Sequence, residues 1–152
     1  YILEYLAMEG SSRVVRDGLR QVNNFPMVRK QATELLGKVR TEPAKNALIA
    51  VLLNDEEDMV KAQAAYALGE LGMNENNEVA AALAFAVSRE DLSRSDNNWA
   101  YAMVLAFEKL NRNAPGGLKY PEAYKSLIKI SQGSFLATVR QKAVQVLDQM
   151  KQ

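Results

Sequence analysis

The sequence predicts an all-α solenoid of tandem two-helix repeats, and three observations lead to this. A pattern with Val, a cation, Ala and a leucine at offsets zero, one, four and eight recurs, with small variations, at residues 28–37, 60–69 and 139–147. Apolar segments with helical spacing lie between these copies. No stretch alternates apolar and polar residues with a period of two, so strand signals are absent.

Each copy of the pattern predicts the first helix of a repeat. Offsets of zero, four and eight place Val, Ala and Leu on one helical face, with the cation turned away. A fourth, degenerate copy runs over residues 98–106, with Ala102 in the small-residue position. The steps from Val28 to Val60, Asn98 and Val139 are 32, 38 and 41 residues, near the period of two-helix repeats.

The intervening segments predict the second helices, at residues 43–54, 78–88 and 121–132. A further helix is expected at residues 12–23, and residues 2–8 are interpreted as the tail of an earlier helix.

Proline and glycine positions agree with this division. Pro26, Pro43 and Pro121 each fall in the first turn of a predicted helix, where an amide has no intrahelical partner to lose. Gly72 and Gly133 are expected to end helices.

Composition limits the possible chemistry. The chain has no cysteine and no histidine, so thiolate nucleophiles, Ser-His-Asp triads and Cys- or His-ligated metal sites cannot exist within it. The formal net charge of +1 lacks the strong basic excess of a dedicated nucleic-acid binder. No apolar run is long enough for a membrane span.

Residues 1–152 are expected to form one repeat domain of about four helix pairs. Because the chain begins with Tyr1 rather than methionine, we interpret it as a piece of a longer protein in which further repeats could precede residue 1. The lack of cysteine gives a slight preference for an exported bacterial protein over a cytoplasmic one.

Residues 54–72 carry an acidic turn, then Val-Lys, spaced alanines and Leu-Gly. This run resembles a HEAT repeat of the short bacterial type, also called phycobilisome-lyase-like. The resemblance implies antiparallel helix pairs stacked in a right-handed superhelix, with the second helices lining a concave groove that holds another macromolecule. A minority of such proteins assist chromophore attachment, and a distant branch excises damaged DNA bases.

Two groups of residues are candidates for the groove. The first is a basic strip, for which a solvated helix face is the alternative: Arg13, Arg16, Arg20, Lys45, Lys125 and Lys129. The second is an aromatic cluster: Trp99, Tyr101, Phe107, Tyr120 and Tyr124. For Trp99 the first and favoured interpretation is a place in the core between repeats, and the second is a surface contact, since exposed Trp and Tyr are typical binding hot spots. Asp96 lies close to Trp99 in the sequence, and a Trp and an Asp in a concave cleft act together in the DNA-repair branch, but a single near pair is a weak signal.

Two other patterns have simpler interpretations. The carboxylates of residues 55–58 do not match a calcium loop, so a helix-capping acidic turn is favoured. The Gly-Gly of residues 111–117 lacks the strand and the Gly-Lys-Ser/Thr of a phosphate-binding loop, so a flexible linker is favoured.

The sequence therefore predicts a non-catalytic interaction scaffold that binds another protein or peptide segment, with no cofactor and no metal. The predicted anchors are Arg16, Arg20, Lys45, Trp99 and Tyr124. The alternative is a nucleic-acid-binding protein or a relative of the DNA glycosylases.

Overall fold

A computed structural model describes residues 1–151. Eight α-helices, two short strands and one 3₁₀ turn make up its regular structure within those residues. The helices are α1 (Ile2–Met8), α2 (Pro26–Leu36), α3 (Glu42–Asn54), α4 (Asp58–Leu71), α5 (Glu78–Arg89), α6 (Asn97–Asn113), α7 (Pro121–Ser131) and α8 (Ala137–Met150), and the strands are β1 (Arg16–Asp17) and β2 (Arg20–Gln21).

The helices form two layers. In the first layer α2, α4, α6 and α8 pack side by side in chain order, and in the second layer α1, α3, α5 and α7 do the same. The chain passes from one layer to the other at every linker. This confirms the predicted all-α repeat solenoid and places α1 in the second layer, beside α3.

The core lies between the layers and repeats along the stack. In α3, α5 and α7, the residues two and nine positions after the first helical residue are all buried: Ala44, Ala80 and Ala123, and Val51, Val87 and Ile130. The first site thus holds a small residue and the second a branched residue in each of these helices.

The Leu-Gly signature has a packing reason. A Cβ on Gly37 would lie 2.8 Å from the Cβ of Ala67, and one on Gly69 would lie 2.9 Å from the Cα of Ala106. Each glycine therefore sits where two consecutive first-layer helices touch. The same contact joins α2 to α4 and α4 to α6.

The predicted helix over residues 12–23 is wrong, because these residues form an antiparallel hairpin. Arg16 pairs with Gln21 and Asp17 with Arg20, around a two-residue turn in which Gly18 has φ +59°. Val14, Val15 and Val22 favour strand over helix. The Asp17-Gly18 dipeptide was the available hairpin signal.

The other helices begin and end close to the prolines and glycines that predicted their boundaries. Pro26, Pro43 and Pro121 stand at the first or second helical position of α2, α3 and α7. Gly72 is the left-handed C-cap of α4, while Gly133 follows the C-cap residue of α7 without a positive φ.

Candidate interaction site

Arg16 and Arg20, two of the predicted anchors, lie on the hairpin and not on a second-layer helix. Both side chains are exposed, and no carboxylate within residues 1–151 lies within 4.0 Å of either guanidinium. Arg13, from the same predicted strip, stacks 4.9 Å above the ring of Tyr5. The predicted single helical face of arginines therefore does not form.

Lys45, the third predicted anchor, is 1% exposed. Its ammonium group contacts the carboxylates of Glu42, at 2.8 Å, and Glu78, with Glu75 at 3.6 Å. The hydrogen bonds that Lys45 donates to Glu42 and then to Glu78 raise the pKa of Lys45 well above its usual range. The carboxylates cover this cation, so it offers no charge to a partner in the groove.

The same three carboxylates lie within 4.8 Å of one another, as ligands of a cation would. The ammonium group of Lys45 already stands among them and offsets part of their charge. These residues therefore form a salt-bridge cluster between α3 and the start of α5.

Trp99, the fourth predicted anchor, is 1% exposed and belongs to the core, which is the first of its two interpretations. Its indole N–H has no hydrogen-bond partner in the described structure. Asp96 is the N-cap of α6, where its Oδ1 accepts from the backbone N–H groups of Asn98 at 2.8 Å and Trp99 at 3.0 Å. The Asp–Trp proximity thus has a structural cause.

Tyr124, the fifth predicted anchor, is half-buried. Its hydroxyl donates to the carbonyl oxygen of Met150 at 2.6 Å, which ties α7 to the end of α8. Its ring edge lines a shallow surface depression with Tyr120 and Lys125. The five predicted anchors are therefore not brought together into one site.

A row of apolar side chains does cross the outer side of the second layer. Ile49, Phe85 and Ile128 each lie seven residues after the first residue of their helices α3, α5 and α7. Phe85 is 51% exposed and Ile128 is 44% exposed, while Ile49 is half-buried. Because these helices pack side by side, the three residues form one line, which we call the apolar row.

Among its described residues, the first layer repeats an exposed apolar residue at one position on only two neighbouring helices, at Met27 and Met59. Its exposed Leu35, Tyr66 and Val144 lie seven, six and five residues after the valines that begin their repeats, so they fall on different helical faces. Single exposed apolar residues are normal on any protein, whereas an aligned row indicates a contact surface. The equal spacing of the row was a signal that sequence reasoning missed.

Cations border the apolar row at its α5 and α7 end. The guanidinium of Arg89 lies 5.4 Å from the ring centre of Phe85. Lys129 donates to the carbonyl oxygen of Val87 at 3.2 Å, at the C-terminus of α5, where the helix dipole favours a cation. Lys125 is exposed and pairs with Glu122. Lys125 and Lys129, with the buried Lys45, are the part of the predicted basic strip that does lie on second-layer helices, and Arg89 was not among the predicted residues.

The cation of the repeat pattern is not turned away as predicted in the first repeat. Arg29 is 2% exposed and forms a two-pronged ion pair with Asp55, with Nε–Oδ2 at 2.7 Å and Nη2–Oδ1 at 3.2 Å. Val28, expected in the core, is instead 38% exposed. The N-terminal turn of α2 is therefore rotated so that its cation faces inward, where Asp55 at the end of α3 meets it.

Arg29 also holds the residues that flank the hairpin. Its Nη1 donates to the carbonyl oxygen of Glu9 at 3.2 Å and to Oδ1 of Asn24 at 2.9 Å. Asp55 in turn accepts from the backbone N–H of Glu57 at 2.9 Å. The acidic turn thus supplies Asp55 to an ion pair and Asp58 to the first turn of α4, but no side chain caps that helix.

The family comparison agrees with this architecture. A family model described as HEAT repeats matches residues 12–96, more than half of the chain. The chain belongs to the HEAT repeat family.

No curated protein and no solved structure matches the chain. HEAT repeats generally serve as protein-interaction scaffolds. Within residues 1–151 of this HEAT repeat protein, every helix is too short or too polar to cross a bilayer.

Proposed function

We propose that this HEAT repeat protein is a non-catalytic scaffold that holds a segment of another protein against the outer side of its second layer. The observation that carries the proposal is the apolar row of Ile49, Phe85 and Ile128. An apolar line with cations at one end can bury the apolar side chains of a partner segment while Arg89 and Lys125 contact its polar rim.

Family membership supports this proposal, because stacked repeats create an extended surface on which another macromolecule can bind. The chain's composition supports the non-catalytic part: neither imidazole nor thiol is present to act as a base or nucleophile. Of the predicted anchors, Lys45 and Tyr124 lie on helices that carry the row, and Lys45 is buried under carboxylates.

The test places a photo-crosslinking amino acid at position 85 and, in a second protein, at position 35. Phe85 and Leu35 have similar exposure, 51% and 46%, but lie on opposite layers. In lysate of the source cell, we expect position 85 to give discrete cross-linked proteins that position 35 does not give. Equal products from both positions would contradict the proposal.

Two double variants that introduce negative charge give a second test, in which the loss of binding is measured. Phe85→Glu with Ile128→Glu should remove the cross-linked partner, whereas Leu35→Glu with Val144→Glu, matched in exposure, should leave it bound. Circular dichroism of both variants checks that the helices persist. Loss of binding in both variants, or in neither, would argue against the second layer as the binding surface.

The alternative is a nucleic-acid-binding protein or a DNA glycosylase relative. It needs a strongly basic groove with a carboxylate that faces it. Lys45 is neutralised by glutamates, and Asp96 caps a helix. Retention on heparin at physiological salt is the discriminating measurement, and the scaffold proposal expects weak retention. The preference for an exported protein stays a prediction.

A further inference from the structure

The apolar row has an acidic side at its α3–α5 end. Glu42 and Glu78 are the first residues of α3 and α5, seven positions before Ile49 and Phe85. Seven residues make about two helical turns, so each carboxylate lies on the same helix face as its apolar residue, about 10.5 Å along the axis. Glu75, on the 3₁₀ turn that precedes α5, joins them, and carboxylate oxygens of all three lie within 4.8 Å of one another.

This acidic side keeps an excess of negative charge. Within residues 1–151, Lys45 is the one cation that lies within 4.0 Å of any of the three carboxylates. Three negative charges and one positive charge leave a formal charge of −2. Lys45 is 1% exposed, whereas Glu42, Glu75 and Glu78 are 59%, 62% and 41% exposed. A partner therefore meets the carboxylates and not the ammonium group.

Helix electrostatics explain this arrangement only in part. A carboxylate near the start of a helix is stabilised by the macrodipole, which accounts for Glu42 on α3 and Glu78 on α5 taken one at a time. It does not account for the convergence of both with Glu75 around a single buried ammonium group. On α7, the exposed Glu122 is paired with Lys125 at 3.3 Å, so the excess is confined to the α3–α5 end.

The opposite side of the apolar row is mixed in charge. Arg89 stands four residues after Phe85, and it lines one cavity together with Glu56 and Glu90. Charges of both signs meet there, so that side selects neither an acidic nor a basic partner. The selection by charge comes from the acidic side alone.

The spacing of the apolar row matches a helix laid along it. Packed helices lie about 8–10 Å apart, and the row takes one residue from each of three neighbouring helices. A helix returns the same face every seven residues, or about 10.5 Å, which gives one apolar side chain for each member of the row. An extended segment places its same-side residues about 6.6 Å apart, out of step with the row.

From these observations we infer that the occupant of the apolar row is a basic amphipathic helix of another protein, an inference that rests on the proposed function. Its apolar stripe packs on Ile49, Phe85 and Ile128, and Lys or Arg side chains along one border of the stripe pair with Glu42 and Glu75. Glu78 then remains with Lys45.

The experiment uses a displayed library of random linear peptides of about twenty residues, which as a helix would span about 30 Å, selected on the full chain. We expect the recovered peptides to carry Lys or Arg beside an apolar stripe and to gain helical circular dichroism on binding. Their affinity should fall about tenfold or more in Phe85→Ser and also in Glu42→Gln, Glu75→Gln. The second variant leaves Glu78 with Lys45, so no buried charge loses its partner.

Matched controls remove the same groups elsewhere. Glu34→Gln, Asp148→Asn makes the same change in net charge with carboxylates that are 54% and 64% exposed, and Leu35→Ser removes an apolar side chain that is 46% exposed. Both controls should bind the peptides as the natural chain does. A proline in the middle of a recovered peptide should abolish its binding, because it breaks the helix.

Peptides that respond to Phe85→Ser but not to Glu42→Gln, Glu75→Gln would overturn the basic occupant and leave the scaffold proposal, which cross-linking at position 85 decides separately. A response to the glutamine variant alone would mean attraction to carboxylates without docking on the row, which also overturns the inference. The same holds for peptides that bind without gaining helix. Calcium binding in calorimetry that displaces the peptides and that the glutamine variant abolishes would make the cluster a cation site instead.

Discussion

The helix pairs α2–α3 and α4–α5 each contain an ion pair at the same repeat position, but with different residues and different burial. In each, the cation after the repeat's valine reaches an acidic residue at the end of the second helix of the same repeat. Arg29 meets Asp55 at 2.7 Å, and Lys61 meets Glu90 at 3.4 Å. The side chains of the first pair are 2% and 0% exposed, against 15% and 26% in the second.

The hairpin segment accounts for the difference. Glu9 and Asn24, which flank it, accept from Arg29 and help to take it out of water. A guanidinium has enough donors in a fixed fork to serve a carboxylate and two further acceptors, whereas an ammonium group does not hold that geometry. Lys61 instead shares its charge between Glu90 and Asp58, at 2.9 Å, near solvent. The same repeat position is thus interior in one repeat and peripheral in the next.

The largest expected effect follows from breaking the buried pair. Asp55→Ala leaves the Arg29 guanidinium buried without its carboxylate, which should lower the free energy of unfolding by about 3–5 kcal/mol. Urea denaturation followed by circular dichroism measures this.

The matched control replaces both partners, Arg29→Met with Asp55→Leu. Because no charge is then left buried, its stability should lie much closer to that of the natural chain. An Asp55→Ala variant that loses less than about 1 kcal/mol would place the pair in the class of exposed ion pairs.

The second prediction concerns a contact that the two repeats share. Gly69→Ala and Gly37→Ala each force a methyl group against the next first-layer helix. Overpacking should cost about 1–3 kcal/mol, against a gain of about 1 kcal/mol in helix propensity, so both variants should be destabilised by similar amounts. Thermal unfolding of the two variants beside Gln63→Ala, a control on α4, checks this. A strong inequality would show that the repeats differ in packing as well as in charge.

The third and smaller effect comes from the peripheral pair. Lys61→Met should change the free energy of unfolding by about 1 kcal/mol or less, because Asp58 and Glu90 remain near solvent. The same urea titration gives the value. A loss as large as that of Asp55→Ala would mean that burial does not distinguish the two pairs.

The smallest effect is a pH dependence of the peripheral Lys61 pair. Partial burial works to lower the pKa of Lys61, but the hydrogen bond and charge of Asp58, with Glu90, raise it overall above the ordinary 10.5. The stability that Lys61 contributes is therefore complete below that value and is lost as the pH rises through its folded pKa. Arginine keeps its proton in proteins, so the Arg29–Asp55 pair has no such loss.

Hydrogen exchange across this alkaline range, compared between the natural chain and Lys61→Met, isolates the contribution of Lys61. We expect the difference in protection within α4 and α5 to shrink as the pH rises, while α2 and α3 behave alike in both proteins. A difference that grows with pH would contradict the direction of the pKa shift.

Much of the architecture could be predicted because each repeat carries its own local signals. Val60, Ala64 and Leu68 mark a buried helical face, and Pro43 and Pro121 mark helix starts. Every helix from α2 to α8 was expected close to where it lies. The site was less predictable, since a helical pattern shows which face is buried and not which neighbours cover a given long side chain.

Arg29, Lys45 and Trp99 show that limit. Lys and Arg are mostly exposed in proteins, and Trp is rarely fully buried, so residue type alone did not place these three in the interior. Arg29 is buried because Asp55, distant along the chain, meets it. Lys45 is covered by carboxylates from the neighbouring repeat. Trp99 fills the space between repeats.

By itself the sequence determined the repeat period, the approximate bounds of α2 to α8 and most of the helical faces that form the core, because these depend on local spacing, caps and apolar periodicity. Only the tertiary structure decided that residues 12–23 form a hairpin, that Arg29 and not Val28 faces inward, and that Ile49, Phe85 and Ile128 stand in line. The physical reason is that the neighbours that cover a side chain come from distant segments, as Asp55 covers Arg29, and that the stacking of the layers aligns the helices.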